Sequence, residues 1–154
     1  MRAIALGIAF VVLTGVALAT PVAVLRVDPG SRVYGLADGE RYEYSYQQSI
    51  YQVPVVEEHV RDGDELRIVR VRSRDLRAVE YFRWDGQIRR DGDEFVQDAP
   101  PNRVPALVIR VTAEGAQRLR GASFDLSLRA QLGETVVTVT PVRVPRLLAL
   151  LGRQ

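Results

Sequence analysis

Residues 41–48, Arg-Tyr-Glu-Tyr-Ser-Tyr-Gln-Gln, decide the fold class of this chain because they alternate strictly. Every second position carries an aromatic ring or a long amide side chain: Tyr42, Tyr44, Tyr46 and Gln48. Successive side chains of a β-strand point to opposite faces, and tyrosine is enriched in strands. The segment is therefore predicted to be a strand with an aromatic inner face.

Period-two patterns continue through the rest of the body, and Asp-Gly pairs separate several of them. Residues 53–60 and 65–72 flank Asp62-Gly63 and predict an antiparallel hairpin, because an Asp-Gly loop supplies the positive φ angles of a tight turn. Further short strands are expected at residues 79–84, 87–90, 94–97 and 106–112. Residues 114–120 fit one or two turns of helix or an irregular link.

The last strands are expected to form the clearest hairpin of the chain, with residues 122–129 pairing with residues 135–142. Turn signals recur every 8 to 12 residues or so, and no alternation of strands with helices is evident. We therefore predict an all-β domain at residues 41–144, built as a small antiparallel sandwich or a partly closed barrel. Residues 26–40 are assigned to a linker and a first edge.

The N-terminus predicts where this domain lies. Arg2 is followed by an uncharged, largely apolar run over residues 3–25, long enough for the roughly 20 residues of a membrane-spanning helix. Ala17-Leu18-Ala19 also has the small-residue pattern of a signal peptidase site, so a cleaved signal stays open. Residues 1–25 are thus a transmembrane anchor or a signal segment. Either places the β-domain on the extracytoplasmic side of the cell membrane, and an anchor would hold it there.

The C-terminal residues 145–154 form an apolar tail with two possible roles. The tail could cap the open end of the β-domain, or it could lie on the membrane with arginines at the lipid headgroups. Capping is favoured because so short a segment buries too little to anchor by itself.

Composition excludes several functions. The chain has no cysteine, so neither disulfides nor thiol chemistry is available. Its 21 basic residues are all arginines, but 19 acids are interspersed with them and the net charge is only +2. No nucleic-acid partner is therefore expected.

Few residues suggest catalysis or metal binding. Glu57 and His59 lie two apart on a predicted strand, so they share a face and could bind a metal with a third ligand. His59 is the single histidine, and a metal-dependent enzyme is only a remote alternative. Ser49 lacks the strand-turn-helix elbow of a hydrolase nucleophile. The repeated Arg-Asp-Gly-Asp-Glu at residues 61–65 and 90–94 fits solvated turns better than calcium loops. We expect no enzyme activity, no metal and no cofactor.

Residues 44–57 concentrate tyrosines, amides and a serine where a strand ends. Two interpretations are open. The segment could be a polar latch in which Glu57 reaches back to the amide of Gln48 and the hydroxyl of Ser49, or it could line a ligand-binding cleft. The candidate residues are Tyr44, Tyr46, Gln48, Ser49, Pro54 and Glu57.

The pattern Tyr46-x-Gln48-Ser49, four residues, Pro54-Val-Val-Glu57 resembles a family of domains of unknown function, numbered 1850. That family has an aromatic strand ending in His-Ser, then a proline and a glutamate at this spacing. The resemblance covers residues 42–71 and implies that Ser49, Pro54 and Glu57 are signature positions. Gln48 replaces the usual histidine, so titration or metal binding is not expected there.

Members of this family commonly occur beside tripartite (TRAP) transporters with a TAXI-class solute receptor. The leading hypothesis is therefore a non-catalytic, membrane-tethered accessory domain. The tether follows from the N-terminal sequence, whereas the partner, a TRAP permease or its solute receptor, is implied only by the resemblance. The alternative is an extracytoplasmic small-molecule-binding module.

Overall fold

The computed structural model describes residues 18–151 of the 154-residue chain. Strands make up 53% of the structure and helices 13%, so the predicted β class is confirmed. In chain order the strands are β1 Pro21–Asp28, β2 Arg32–Gly35, β3 Arg41–Gln48, β4 Val53–Asp62, β5 Glu65–Ser73, β6 Arg89–Asp91, β7 Glu94–Asp98, β8 Arg103–Val104, β9 Leu107–Arg110, β10 Arg118–Gly121, β11 Phe124–Ser127 and β12 Val136–Pro145. The helices are α1 Leu76–Glu80, α2 Leu128–Leu132 and α3 Arg146–Leu151.

These strands form two antiparallel sheets, and neither is closed. The smaller sheet has the order β2-β1-β12-β9. The larger sheet has the order β11-β10-β3-β4-β5-β7-β6, with β8 pairing onto β5. A shared apolar cluster takes Leu25 and Val137 from the smaller sheet and Tyr42, Leu66 and Leu119 from the larger one. The two sheets therefore pack against a common core.

The strands with the strongest local signals are confirmed. Strand β3 covers the predicted residues, and β4 and β5 form the predicted antiparallel hairpin. Gly63 in the turn between them has φ 67°, a conformation that glycine adopts without steric cost. Tyr42 and Gln48 at the two ends of the predicted inner face are buried.

The strand predicted at residues 79–84 is wrong, because helix α1 occupies residues 76–80. The Asp75 carboxylate caps this helix by accepting a hydrogen bond of 3.0 Å from the backbone N–H of Arg77. Ala78 and Val79 are fully buried and pack against Val55 and Val71 on the larger sheet. The burial of Ala78 and Val79 in a helix therefore outweighs the pattern from which a strand was predicted at residues 79–84.

The hairpin predicted between residues 122–129 and 135–142 is also wrong. Strand β11 pairs with β10 in the larger sheet, whereas β12 pairs with β1 and β9 in the smaller one. Helix α2 separates them and leads the chain from one sheet to the other. Residues 114–120, expected to be a helix or an irregular link, form an irregular link up to Gln117, and β10 begins at Arg118.

The N-terminal segment ends earlier than the sequence suggests, because residues 21–25 belong to β1 and not to the apolar leader. Leu25 faces the shared core, and Val24 packs under α3. A strand covered on both faces is apolar at successive positions, which explains why the uncharged run continues to Leu25. Residues 1–17 of the predicted anchor or signal lie outside the described residues. Within residues 18–151, no helix has both the length and the hydropathy needed to span a membrane.

Arg61 joins the two sheets. Its side chain has 0% exposure, and it extends from β4 across the core. Its Nη1 donates hydrogen bonds to the backbone carbonyls of Val24 at 2.7 Å and Val142 at 3.2 Å, which belong to β1 and β12. Burial, and then the nearby Arg143 guanidinium, lower the pKa of Arg61. The smaller sheet thus contributes two carbonyl dipoles that stabilise a buried cation.

We predict that Arg61→Ala destabilises the protein by about 3 kcal/mol or more, because two carbonyls lose a charged donor and a cavity is left in the core. Arg67→Ala is the control, since Arg67 is partly exposed and lies 3.9 Å from Asp62. The control is expected to change stability by less than about 1 kcal/mol. Urea unfolding of both variants measures the difference. Equal losses would contradict the bridging role of Arg61.

Candidate functional site

The inner face of the larger sheet carries an inner polar cluster, made of Tyr42, Tyr44, Tyr46, Glu57 and His59. Tyr44 lies directly opposite Glu57 in the β3–β4 ladder, and Tyr42 lies opposite His59. His59 Nε2 and Glu57 Oε2 are 3.1 Å apart, a hydrogen bond in which the ring nitrogen donates to the carboxylate. The Tyr42 and His59 rings stack with centroids 5.2 Å apart. The cluster places one carboxylate among aromatic rings.

A β-bulge lies next to this cluster. The β4–β5 register shifts between Glu58 and His59, so that Val69 of β5 has no residue opposite it. A bulge bends the strand and changes the direction of nearby side chains. The register shift thus lies between Glu57 and His59, whose side chains form the hydrogen bond described above.

The carboxylate of Glu57 acts on all three tyrosines of β3. Burial raises the pKa of Tyr42, Tyr44 and Tyr46 above the ordinary value, and the negative charge of Glu57 raises each further. A hydrogen bond to Glu57 adds to the effect at Tyr46. These hydroxyls therefore stay protonated at neutral pH and remain hydrogen-bond donors.

Within residues 18–151, two buried polar atoms of the inner polar cluster lack a partner, namely the Tyr42 hydroxyl and His59 Nδ1. His59 is 3% exposed and Tyr42 covers one face of its ring. The same part of the chain holds no group of three histidine, cysteine or acidic side chains placed to bind a metal. In the described part of the chain, Glu57 and His59 therefore form a hydrogen-bonded pair of side chains and do not belong to a group of three potential metal ligands.

A cleft of about 590 Å³ lies where β3 ends, and Tyr46 belongs both to its wall and to the inner polar cluster. The other lining residues come from the end of β3 and the turn after it, from the residue after α1, from the end of β9 and from the loop before β10: Gln47, Gln48, Ser49, Ile50, Gln52, Tyr81, Arg110, Thr112, Glu114, Gly115 and Gln117. The lining combines apolar surface with amides, hydroxyls and two charged groups. Such polar groups can orient a ligand that carries hydrogen-bonding groups.

Two hydrogen bonds to backbone carbonyls hold the wall of the cleft that is formed by the end of β9 and the loop before β10. The Gly115 carbonyl accepts a hydrogen bond of 2.6 Å from the Gln47 N–H, which ties the loop to β3. The buried Gln117 side chain donates from Nε2 to the Arg110 carbonyl at 3.1 Å. A Cβ at Gly115 would meet Gln117 Nε2 at 1.8 Å, so a larger residue at this position would displace the Gln117 side chain.

Of the predicted site residues, Tyr46, Gln48 and Ser49 line the cleft. Gln48 is 6% exposed, and its Oε1 has no hydrogen-bond partner among the described residues. Tyr44 stacks on Tyr46 with ring centroids 4.9 Å apart, one position further inside. Pro54 lies outside the cleft lining, on β4, where its carbonyl accepts from Ser73 Oγ at 2.7 Å.

The latch interpretation needs correction. Glu57 pairs with Tyr44 in the β3–β4 ladder, four residue pairs from the Gln48–Val53 pair. At the rise of an antiparallel strand, four residues separate the two pairs by roughly 14 Å. Ser49 is exposed in the turn beyond that pair. Glu57 therefore bonds to His59 and Tyr46 rather than reaching back to Gln48 or Ser49.

Arg110 and Glu114 are site residues that sequence reasoning missed. Both are exposed and line the cleft, and neither side chain has an ion-pair partner among residues 18–151. They reach the cleft from the smaller sheet and the loop after it. Their approach to β3 depends on contacts between distant parts of the chain, so no local pattern could have identified them.

A depression of about 480 Å³ elsewhere is lined by Asp85, Gly86, Gln87, Arg89 and Asp98. It contains none of the predicted site residues, and Arg89 and Asp98 already pair with each other there at 2.8 Å. The cleft beside Tyr46 is therefore the stronger candidate.

A scan against models of known protein families finds no match for this chain, and searches of curated proteins and of solved structures find no match either. The resemblance to family 1850 therefore rests on the residues quoted for it.

We predict that Glu57→Ala destabilises the protein by about 1 to 3 kcal/mol, because the buried His59 ring loses its hydrogen-bond acceptor. Ser49→Ala is the matched control within the same segment, and we expect a change within about 0.5 kcal/mol, since Ser49 is exposed. Urea unfolding of each variant checks both values. A loss at Ser49 as large as that at Glu57 would restore the latch interpretation.

Proposed function

We propose that this protein is a non-catalytic β-domain that binds a small polar molecule in the cleft beside Tyr46. Its N-terminal apolar segment holds it at the extracytoplasmic face of the cell membrane. The observation that carries the proposal is the presence of Arg110 and Glu114 in the cleft lining, since neither side chain has an ion-pair partner among residues 18–151. Charged groups of this kind can bind a ligand of complementary charge.

The charges of the cleft favour a zwitterion, such as a free amino acid. Arg110 offers a guanidinium fork that suits a carboxylate, and Glu114 offers an acceptor that suits an ammonium group. The two side chains lie on the same cleft wall and carry opposite charges without an ion pair in the described part of the chain. Amides and hydroxyls of the opposite wall supply further hydrogen bonds.

The position of His59 supports a non-catalytic role. Its Nε2 is engaged by Glu57, its ring is stacked on Tyr42, and it is not part of the cleft lining. A general base must come within hydrogen-bond reach of its substrate. A ligand in the cleft would meet Tyr46 first.

The role as an accessory of a TRAP transporter with a TAXI-class receptor rests on the resemblance to family 1850. One observation favours it as the setting for ligand binding. Tyr46, Gln48 and Ser49, which carry part of the resemblance, line the same cleft. The domain would then receive or present a solute to the permease or to its solute receptor.

We expect the purified full chain to bind one or more free amino acids in a calorimetric screen. Arg110→Gln should weaken binding at least tenfold, because a charge-assisted bidentate contact is lost. Arg74→Gln is the control, since Arg74 is an exposed arginine outside the cleft lining. Equal affinities of both variants, or no binding by any amino acid, would contradict the zwitterion proposal.

For the accessory role, we expect the protein to sediment with the membrane fraction of its native cells and to resist extraction by salt. Chemical cross-linking should then join it to a TRAP permease or a solute receptor. Cross-linking after competition with excess ligand tests whether the cleft takes part. A salt-soluble protein without either partner would contradict this role and leave ligand binding to be judged by calorimetry.

A further inference from the structure

Helix α3 exposes an apolar surface that the rest of the domain leaves uncovered. Its four leucines are 45–62% exposed: Leu147, Leu148, Leu150 and Leu151. Only Ala149 is buried, at 8% exposure, where it packs against Val24 and Val33 on the outer face of the smaller sheet. The helix is thus held by one small residue and presents its large ones to the outside.

This helix begins where the N-terminal segment joins the domain. The Arg146 N–H donates a hydrogen bond of 3.0 Å to the carbonyl of Thr20, and Pro145 pairs with Pro21 in the β1–β12 ladder. Residues 3–20 before this point carry no charge in the sequence. An N-terminal segment inserted in a bilayer would therefore bring α3 to the membrane surface.

The groups around α3 match the chemistry of a lipid interface. Arg146, the first residue of the helix, is exposed beside the leucines and can reach phosphate groups. A crevice of about 200 Å³ lined by Val22, Val24 and Leu150, among others, continues the apolar surface onto β1. A six-residue helix presents much less than the roughly 800 Å² that each partner buries in a stable protein interface.

We propose that α3 lies on the bilayer surface, with its leucines at the boundary of headgroups and acyl chains and Arg146 at anionic headgroups. The inference rests on the membrane tether of the proposed function. A helix this short binds weakly alone, but a tether makes its contact with the bilayer intramolecular and raises its effective concentration. The contact would fix the orientation of the domain relative to the membrane.

The test uses the absence of cysteine from the chain, which allows a single label to be placed. Full-length Leu148→Cys, carrying an environment-sensitive nitrobenzoxadiazole label, is reconstituted with phosphatidylcholine vesicles with and without phosphatidylglycerol. Val108→Cys is the control, because Val108 is 65% exposed and lies far from α3. It pairs with Thr138 of β12, which is eight residues before Arg146, or roughly 27 Å along an extended strand. Quenching by brominated lipid is measured for both labels.

We expect brominated lipid to quench the label at residue 148 at least twice as strongly as the label at residue 108, and more so with phosphatidylglycerol. Equal quenching in chains that do sediment with vesicles would overturn the docking of α3 and leave the tether intact. Chains that fail to sediment would overturn both. The label at residue 148 could instead become shielded from water only at high protein concentration, without quenching by lipid. That result would show that α3 contacts a second copy of the chain, and it would also overturn the proposal.

Discussion

The guanidinium of Arg61 is the contact on which the arrangement of the two sheets depends. A buried cation is tolerated only where polar groups surround it, and here the carbonyls of Val24 and Val142 do so from the opposite sheet. The same face of β4 carries Glu57 and His59 at alternate positions before Arg61. Polar groups thus follow one strand through the interior: Glu57 and His59 bond to each other, and Arg61 bonds to the opposite sheet.

The tyrosines of β3 make this polar interior possible. Their rings bury apolar area, while hydroxyls that stay protonated surround a carboxylate with dipoles instead of water. Tyr46 then links this interior to the cleft, since it touches both. A ligand in the cleft would therefore act on the hydroxyl that lies closest to Glu57. The polar groups of the cleft and of the interior thus meet at Tyr46.

Local patterns in the sequence predicted β3, the β4–β5 hairpin and three cleft residues, because alternation and Asp-Gly turns depend on neighbours in the chain. The same patterns failed for β11 and β12, since alternation is identical whichever sheet a strand joins. Helix α1 was missed because burial against Val55 and Val71 outweighed local alternation. Arg110 and Glu114 reach the cleft only through the pairing of β9 with β12, a long-range contact.

The pairing of β1 with β12 also affects the order in which the domain can fold during synthesis. Pro21 and Pro145 are partners at one end of an eight-pair ladder, so the first strand of the domain has its principal neighbour at the far end of the sequence. Long-range pairing of this kind forms slowly, because loop closure must precede the contacts that compensate for it. The larger sheet can assemble while the chain is still emerging. Until the last strand arrives, Arg61 lacks the carbonyl of Val142 as an acceptor, and the core shared by the two sheets is incomplete.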